Sequence, residues 1–284
     1  MLTNKAAIIT GASRGLGKAI ARAFAAAGAD MLLCARNGED LERACAELEG
    51  SKKQAGQRIL ACAGDLAEER DADRVIQAAM QAFGRIDILV NNAAIQGPIG
   101  PFEENDWDAW KRTIQTDLLG PAYLIRSVLP IMKKQGGGKI ISLSGGGATG
   151  PRENYSAYAV AKTGIVRLTE TIAKEAGTWH IDVNAIAPGA MSGRMLEETL
   201  AAGEDAVGKG EYAKALERKK NGGTPPEKAA ELALFLVGSA SDGITGRLIS
   251  AVWDDRETLR ERWDEWKNTD IYTLRRIIPE DREK

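Results

Sequence analysis

Lys5-Ala-Ala-Ile-Ile-Thr-Gly-Ala-Ser-Arg-Gly-Leu-Gly17 joins a short apolar run to a turn that contains three glycines. The apolar run is typical of a strand that is buried on both faces of a parallel sheet. After the turn, Leu16, Ile20 and Phe24 recur at helical spacing, and Gly28 ends that pattern. The segment therefore predicts a strand, a tight turn and a helix, which together can hold a phosphate at the N-terminus of the helix.

The three glycines of this turn suit different tasks in a phosphate site. Gly11 can adopt the tight turn, Gly15 allows the backbone to approach a pyrophosphate, and Gly17 allows the helix to pack closely on the sheet. Their spacing is GxxxGxG, which differs from the common GxGxxG dinucleotide pattern. Taken alone, the triplet fits an ordinary glycine-rich turn as well as a phosphate site, so its meaning depends on the rest of the chain.

The remainder of the chain alternates strand-like and helix-like segments without an internal repeat. This alternation predicts an α/β fold, a doubly wound (Rossmann) parallel seven-stranded sheet with helices on both faces. We expect a single domain over residues 1–252, with two long helices over Asn105–Lys133 and Tyr155–Ala176. The later strands are predicted at Met31–Ala35, Ile59–Cys62, Ile86–Asn91, Lys139–Ser144, Ile181–Ile186 and Leu248–Val252.

Residues 253–284 extend beyond the last predicted strand. Within this extension, Leu259, Trp263 and Trp266 recur at helical spacing, and such an apolar stripe is unfavourable in water. We expect a helix over Arg256–Asn268 that docks on the rest of the protein or on a neighbouring subunit. Two roles stay open for the extension, because it suits a stabilising interface arm and also an element that closes the functional site.

The composition argues against several other classes of protein. The chain has 284 residues, of which 44% are hydrophobic and 27% charged, as is typical of a globular protein with one large core. A net charge of −2 offers no basic surface for nucleic acid, and no apolar run approaches the ~20 residues that cross a bilayer. The absence of a secretory signal pattern, of C-x-x-C pairs and of metal-ligand spacing predicts a cytoplasmic protein with reduced thiols and no metal site.

Tyr158-Ala-Val-Ala-Lys162 is the second motif that carries chemistry. A phenol and an ammonium group four residues apart share one face of a helix, which by itself is also typical of a half-exposed helix surface. Beside a bound dinucleotide, the same pair can move a proton while the dinucleotide moves a hydride. An unperturbed tyrosine has a pKa near ~10, and a neighbouring ammonium group lowers that pKa. Tyr158 is therefore predicted to act as general acid in the reducing direction and as base in the oxidising direction.

Together with the glycine turn, this motif resembles the short-chain dehydrogenase/reductase family, in particular its members that are similar to 3-oxoacyl-carrier-protein reductases. Further family motifs follow in order from about Lys5 to Ala251, namely Asp65-Leu66, Asn91-Asn-Ala-Ala94, Pro188-Gly189 and Thr245-Gly246. The resemblance implies a catalytic set of Tyr158, Lys162, Ser144 and Asp117. It also implies cofactor contacts from Gly11, Ser13, Arg14, Gly15, Leu16, Gly17, Arg36, Asp65, Leu66, Asn92, Ala93, Tyr158, Lys162, Pro188, Gly189 and Met191.

The residues after the second strand indicate which nicotinamide cofactor is used. An acidic side chain there would accept hydrogen bonds from the adenosine ribose and repel a 2′-phosphate. This chain carries Ala35-Arg36 instead, and Arg14 lies in the glycine turn. Two guanidinium groups can bind a phosphate through charge-assisted hydrogen bonds, so we expect NADP rather than NAD. Both arginines also fit solvated surface positions, and Glu39 and Asp40 nearby weaken the positive field.

Two positions depart from the family pattern. The family's substrate-binding serine aligns with Gly145, and Ser144 lies one residue earlier. Ser144 either replaces that donor through a shift of the loop or points to the opposite face of the strand, in which case Ser142, Tyr155 or a water must bind the substrate oxygen. The family's asparagine in the long fourth helix aligns with Asp117, which could keep the place of that asparagine in a proton relay while adding a charge.

The sequence thus predicts an NADP-dependent oxidoreductase that acts on a small carbonyl or hydroxyl compound. Two alternatives remain, a dinucleotide-binding sensor with impaired catalysis, motivated by Gly145 and Asp117, and a nucleotide-sugar epimerase or dehydratase, which favours another glycine spacing. The resemblance further implies a homo-oligomer, a tetramer or a dimer, that pairs through the two long helices. We expect neither nucleic acid nor membrane as a partner.

Overall fold

One parallel sheet organises the computed structural model, which describes residues 1–282. Its strands are β1 (Ala6–Thr10), β2 (Asp30–Ala35), β3 (Ile59–Ala63), β4 (Ile88–Asn91), β5 (Gly138–Leu143), β6 (Ile181–Ala187) and β7 (Leu248–Ser250). They lie in the order β3-β2-β1-β4-β5-β6-β7, and all pairs of neighbours are parallel. The seven-stranded, doubly wound fold that the alternation predicted is therefore confirmed.

Helices cover both faces of the sheet because each buries one apolar stripe against it. They are α1 (Gly15–Ala27), α2 (Gly38–Glu49), α3 (Glu69–Phe83), α4 (Trp107–Ile114), α5 (Gly120–Gln135), α6 (Ser156–Ala176), α7 (Arg194–Val207), α8 (Lys209–Asn221), α9 (Pro226–Val237), α10 (Arg256–Glu261) and α11 (Trp263–Trp266). One core cluster joins α1, α2 and α9 to one face of the sheet. A second cluster joins α3, α5 and α6 to the other face.

The order of the strands places a crevice at one edge of the sheet. Strand β1 lies between β2 and β4, so the connections that leave the carboxyl ends of β1 and β4 run to opposite sides. In open parallel sheets, such a reversal of strand order opens a crevice in which ligands bind. The glycine turn follows β1 and Asn92 follows β4, so the fold brings both motifs to this crevice.

The long helix predicted over Asn105–Lys133 is present as a helical run from Trp107 to Gln135, but its α-helical geometry changes partway along. A π-helical turn over Gln115–Leu119 separates α4 from α5. Asp117 lies within this turn, is fully buried, and accepts a hydrogen bond from the backbone N–H of Ile95 at 2.9 Å. An extra residue in the turn redirects the side chain of Asp117 inward, and π-turns of this kind are frequent at functional sites.

The C-terminal extension lies against the body of the protein, although it does not form the single helix expected over Arg256–Asn268. It contains two short helices, α10 and α11, because the chain leaves helical geometry at Arg262 (φ −99°, ψ 9°). Leu259, before the break, is buried in the core cluster that also contains residues of α9. Trp263, after the break, faces the Arg247 guanidinium, which lies 5.2 Å from the centre of its ring.

Arg247, which precedes β7 and is only 5% exposed, fastens the extension through backbone atoms. Its guanidinium nitrogens donate to four carbonyl oxygens, those of Trp266 (3.3 Å), Lys267 (2.9 Å), Thr269 (2.9 Å) and Ile271 (2.8 Å). Hydrogen bonds from a charged group are stronger than neutral ones, so this single side chain orders the chain from α11 onwards.

Candidate active site

The glycine turn after β1 has the backbone geometry that only glycine accepts readily. Gly11 and Gly15 have φ values of +63° and +54°, in the left-handed region that a Cβ disfavours. Gly17 has ordinary helical geometry, but a Cβ there would overlap the carbonyl oxygen of Gly11 and the side-chain amide of Asn92. The turn is thus drawn tightly under the first turn of α1, whose unpaired backbone N–H groups face the crevice.

Thr10 and Asn92 fasten this turn to the neighbouring strand. The Thr10 hydroxyl accepts hydrogen bonds from the backbone N–H groups of Asn92 (2.9 Å) and Ala93 (3.0 Å). In return, the Asn92 amide donates to the carbonyl oxygens of Thr10 (2.9 Å) and Gly11 (3.2 Å). Asn92 therefore shapes the phosphate-binding turn from outside it, in addition to lining the crevice.

Two adjoining cavities occupy the crevice. The first, of about 230 Å³, lies between the ends of β1, β2 and β4, and the second, of about 870 Å³, lies over the ends of β5 and β6. Of the residues predicted to bind the cofactor, the first is lined by Gly11, Ser13, Arg14, Arg36, Asp65, Leu66, Asn92 and Ala93. The second is lined by Arg14, Gly15, Leu16, Asn92, Tyr158, Lys162, Pro188, Gly189 and Met191, together with Ser144.

Two of the predicted site residues line neither cavity. Gly17 lies behind the turn, where it sets the distance between α1 and the turn. Asp117 lies behind Lys162 and reaches the site only through that side chain. The remaining predicted residues all line one of the two adjoining cavities, so the fold brings together motifs that are far apart in the sequence.

Cationic side chains dominate the smaller cavity. Arg14 and Arg36 are exposed at its rim, and within residues 1–282 neither forms an ion pair. By contrast, Asp40 is bound by Arg43, and Asp65 is bound by Arg112, a residue that the sequence motifs did not single out. The two guanidinium groups are consequently available to an anionic ligand.

Tyr158, Lys162 and Asp117 form a buried row beneath the larger cavity. The Lys162 ammonium group lies 5.4 Å from the centre of the Tyr158 ring, donates to the Leu143 carbonyl at 3.2 Å and lies 3.4 Å from an Asp117 carboxylate oxygen. Tyr158 is 8% exposed, and no residue within 1–282 hydrogen-bonds its hydroxyl, which faces the cavity. The arrangement presents one phenol to a ligand and supports it from behind with an ion pair.

Burial and charge act against each other in this row. Burial raises the pKa of Tyr158, the Lys162 charge opposes that rise, and Asp117 reinforces it. Burial also raises the pKa of Asp117, and the Lys162 charge offsets this only in part. Burial alone lowers the pKa of Lys162, but the charge of Asp117 outweighs it, so the net shift is upward. Tyr158 is therefore held protonated and Lys162 charged before any ligand adds its own charge.

Gly145 occupies the place beside the Tyr158 hydroxyl. A Cβ on Gly145 would overlap that hydroxyl and lie 3.0 Å from two carbons of the ring. Ser144 lines the same cavity, and its hydroxyl is buried (residue 3% exposed) and has no hydrogen-bond partner within the described chain. The phenol thus fills the space that a side chain at position 145 would occupy, and the neighbouring Ser144 has a hydroxyl without a partner within the described chain. Tyr155 is committed elsewhere, because its hydroxyl donates to Thr199 at 3.3 Å.

Three arginines on the wall of the larger cavity were not identified from the sequence. Arg152, in the loop before α6, stacks 3.7 Å over the Tyr155 ring and lies 3.4 Å from Glu211. Arg194 and Arg218 belong to α7 and α8 and line the same cavity. No local motif marks them, since their convergence depends on how α7 and α8 pack over the sheet.

Comparison with known proteins agrees with this architecture. A profile of the short chain dehydrogenase family matches residues 5–203. The chain is 34% identical over 254 residues to the short chain dehydrogenase/reductase astE of Aspergillus oryzae, which covers 88% of this chain and 94% of that protein. The crystal structure of levodione reductase superposes with a TM-score of 0.80 at 28% identity, covering 88% and 96% of the two chains. NAD⁺-bound xylitol dehydrogenase gives 0.79 at 26% identity, covering 88% and 98%.

The profile covers more than half of the chain, and the Aspergillus oryzae protein is more than 30% identical over most of it, so the chain belongs to the short-chain dehydrogenase/reductase family. It is accordingly an oxidoreductase by family, with the fold that binds nicotinamide dinucleotides. Separately, no helix within residues 1–282 is long and apolar enough to span a membrane. The same residues contain no cluster of three or more His, Cys, Asp or Glu side chains suited to a metal ion.

Proposed function

We propose that this protein is an NADP-dependent oxidoreductase that interconverts a small carbonyl compound and the corresponding alcohol, with Tyr158 as general acid and base. The observation that carries the proposal is the unpaired Tyr158 hydroxyl, which faces the same crevice as the glycine turn and is supported by Lys162. The fit to a dinucleotide rests on the glycine turn, which leaves no room for a Cβ at Gly17, and on the free guanidinium groups of Arg14 and Arg36. When bound, the nicotinamide supplies or accepts the hydride.

The residues of the chain manage the proton and the position of the substrate. In the reducing direction, Tyr158 donates its hydroxyl proton to the substrate oxygen, which becomes the alcohol oxygen. The resulting phenolate is stabilised by the Lys162 ammonium group, which burial makes more effective. The Ser144 hydroxyl is buried in the cavity wall and has no hydrogen-bond partner within the described chain, so we assign it to the substrate oxygen.

The first prediction tests the proton donor. Tyr158→Phe removes the transferable proton but keeps the ring, so reduction with NADPH should slow by about 10²–10⁴-fold, the usual contribution of a general acid. Cofactor affinity, measured by fluorescence titration, should stay within a few-fold. Tyr123→Phe is the matched control, since that hydroxyl bonds Asp73 on the surface at 3.0 Å. Near-normal turnover by Tyr158→Phe would exclude the proposed acid.

The same measurement separates the two alternative functions. A dinucleotide sensor would bind NADPH, yet turn over no carbonyl or alcohol in a broad panel, and Tyr158→Phe would change nothing. An epimerase or dehydratase would consume its substrate without net oxidation of the cofactor. The glycine spacing of Gly11, Gly15 and Gly17 supports the oxidoreductase over the epimerase.

The second prediction tests the preference for NADP. The wild type should use NADPH with a kcat/KM at least about tenfold above that for NADH, since each hydrogen bond to a charged group contributes about 1.5–3 kcal/mol. Ala35→Asp/Arg36→Ile should reverse this order by repelling the 2′-phosphate and binding the ribose hydroxyls. Arg22→Ile is the control, because Arg22 is exposed on α1 and lines neither cavity. Equal use of both cofactors by the wild type would contradict the assignment of Arg14 and Arg36.

We further propose a homo-oligomer, tetramer or dimer, in the cytoplasm. Leu119 and Val160 are half-exposed apolar residues on the π-turn and on α6, the region where the family resemblance implies pairing. Division of the chain into a catalytic domain, 1–252, and a docked extension, 253–284, also remains a proposal, and residues 283 and 284 lie outside the described part of the chain. Light scattering of the full chain and of a chain ending at Asp255 tests both.

A further inference from the structure

The larger cavity carries an excess of positive charge near the candidate proton donor. Five cationic side chains line it, against two acidic ones. They are Arg14, Arg152, Lys162, Arg194 and Arg218, and the acidic ones are Glu211 and Asp254. A cavity of one dominant charge attracts ligands of the opposite charge, so the partners of each cation decide what the cavity can bind.

Three of the five cations already have an acidic partner. Lys162 pairs with Asp117 at 3.4 Å, and Arg194 pairs with Glu198 at 3.2 Å. Arg152 pairs with Glu211 at 3.4 Å, although Glu211 is shared with Lys214 at 3.0 Å, so the Arg152 charge is only partly compensated. Within residues 1–282, the lining cations that form no ion pair are therefore Arg14 and Arg218.

Arg14 lies in the glycine turn, where the proposed function assigns it to the cofactor. Arg218 has no such assignment. Its stem packs against Gly223, whose backbone pairs with Met191 at the rim of the cavity, so the side chain is directed inward. Burial and the charge of Arg152 both lower the pKa of Arg218, and the charge of Glu211 opposes this shift only in part.

The position of Arg218 is not explained by helix electrostatics alone. It lies in the last turn of α8 with Lys219 and Lys220, and cations at that end of a helix are favoured by the helix dipole. Lys219 and Lys220 are exposed and line neither cavity, so they supply the positive charge favoured at this helix end from the surface. Arg218 instead lines the cavity together with Arg152, where a partly buried cation that forms no ion pair is costly.

We infer that the substrate carries an oxyanion, a carboxylate or a phosphate, and that Arg218 binds it with help from Arg152 while the carbonyl group meets Tyr158. This inference rests on the proposed function and specifies its substrate class. A guanidinium group binds both oxyanions through paired N–H donors, and it does so most strongly where water is partly excluded. Arg152 and Arg218 line the same cavity as Tyr158, and the Arg152 side chain lies beside Gly146, next in the chain to the glycine that meets the Tyr158 hydroxyl. One small molecule can therefore carry both the anion and the reacting carbonyl.

The test compares matched pairs that differ only in the anion. Pyruvate, acetoacetate and levulinate are assayed with NADPH against their methyl esters, and dihydroxyacetone phosphate against dihydroxyacetone. The wild type should favour the anionic member of at least one pair by about tenfold or more in kcat/KM, as expected for a charge-assisted hydrogen bond. Preference within the keto acid pairs identifies a carboxylate, and preference within the last pair identifies a phosphate.

Arg218→Met should abolish that preference by raising KM for the anionic compound, while kcat/KM for its neutral partner stays within about twofold, because the contact is made by the anion alone. Arg218→Lys should retain part of the preference. Lys220→Met, at the same helix end but on the surface, should leave both members of the pair unchanged. If Arg218→Met lowers the rate for both members equally, its role is structural and the inference is wrong.

A binding measurement keeps this inference distinct from the proposed function. Levulinate and glycerol phosphate are titrated into the NADP-loaded wild type and into Arg218→Met by calorimetry, which requires no turnover. Binding to the wild type that is lost in the variant supports the anion site even if no reduction is seen, in which case the proposed function fails by itself. Turnover of neutral ketones that depends on Tyr158, without any preference for or binding of the anions, would overturn the inference and leave the proposed function standing.

Discussion

The two glycine-rich segments of this protein, Gly11–Gly17 after β1 and Gly145–Gly147 after β5, border the same crevice but use the missing side chains differently. In the first segment, glycine lets backbone approach backbone, since a Cβ on Gly17 would meet the carbonyl of Gly11. In the second, glycine makes room for side chains, since a Cβ on Gly145 would meet the Tyr158 hydroxyl and one on Gly147 would lie 2.7 Å from the Ala159 Cβ.

This difference bears on what each segment tolerates. In the first segment, the backbone of Gly17 in α1 packs on the backbone of Gly11, so neither can move without moving the helix. The second segment meets the end of a side chain, which can rotate, so a substitution there displaces a reacting group and leaves the scaffold in place. We therefore expect failures of different kinds from the same chemical change in the two segments.

The largest effect is expected from Gly17→Ala. The added methyl group forces α1 away from the turn, which should lower the free energy of unfolding by about 1–3 kcal/mol and weaken NADPH binding at least about tenfold. Thermal melting and fluorescence titration measure the two effects. Gly50→Ala is the control, because Gly50 ends α2 with φ −68° and no atom would contact its Cβ. Unchanged cofactor affinity in Gly17→Ala would contradict the claim that backbone packing at Gly17 shapes the cofactor-binding turn.

A more localised effect, confined to turnover, is expected from Gly145→Ala. The protein should fold and bind NADPH normally, but displacement of the Tyr158 hydroxyl by about 1 Å should slow reduction by about 10²-fold. Gly150→Ala, in the same loop and with nothing near its Cβ, should behave as the wild type.

Gly145→Ser tests whether any side chain at position 145 displaces the Tyr158 phenol. It restores the hydroxyl that the family pattern carries, but it should slow reduction as Gly145→Ala does, because the methylene group alone displaces the phenol. A rise in activity would show that the Tyr158 phenol can move aside for a serine and still donate its proton.

The smallest expected change comes from Asp117→Asn, behind the second segment. Reduction requires protonated Tyr158 and fails as the pH rises through its pKa, while oxidation requires the phenolate. Burial raises the pKa of Tyr158, and Asp117 raises it further, so removal of the carboxylate charge lowers that pKa. The alkaline limb of reduction and the acidic limb of oxidation should both move to lower pH. Asp73→Asn, at the surface beside Tyr123, should leave both limbs in place; limbs that move upward or stay fixed in Asp117→Asn would contradict this account.

The fold was predictable from the sequence because its determinants are local. Short apolar runs such as Lys5–Thr10 are long enough for a strand and too short for a helix, and their alternation with amphipathic helices leaves few topologies. Where a long-range contact decides the backbone, the prediction failed. The π-turn at Asp117 depends on Ile95 and Lys162, and the break at Arg262 depends on Arg247, so neither could be read from helical periodicity.

The site divides in the same way. Gly11, Gly15 and Gly17 are marked by a motif, and so are Tyr158 and Lys162. Arg112 and Arg218 carry no motif, because their importance comes from the groups that tertiary packing places beside them, Asp65 for the first and Arg152 for the second. The residues proposed to set specificity are brought together by tertiary packing and are not marked by a spacing in the sequence. The sequence alone therefore does not identify them.

The attachment of the extension by Arg247 has a consequence for how this protein can diverge. Arg247 recognises four carbonyl oxygens, and every amino acid presents the same oxygen. Descendants of this chain can therefore exchange the side chains between Trp266 and Ile271 without losing the tether, provided that the path of the backbone survives. Trp253, which is 86% exposed and lines the larger cavity, is the first residue of the extension that Arg247 tethers. Changes of side chain at Trp253 can therefore alter the wall of the larger cavity while Arg247 holds the backbone beyond α11 in place.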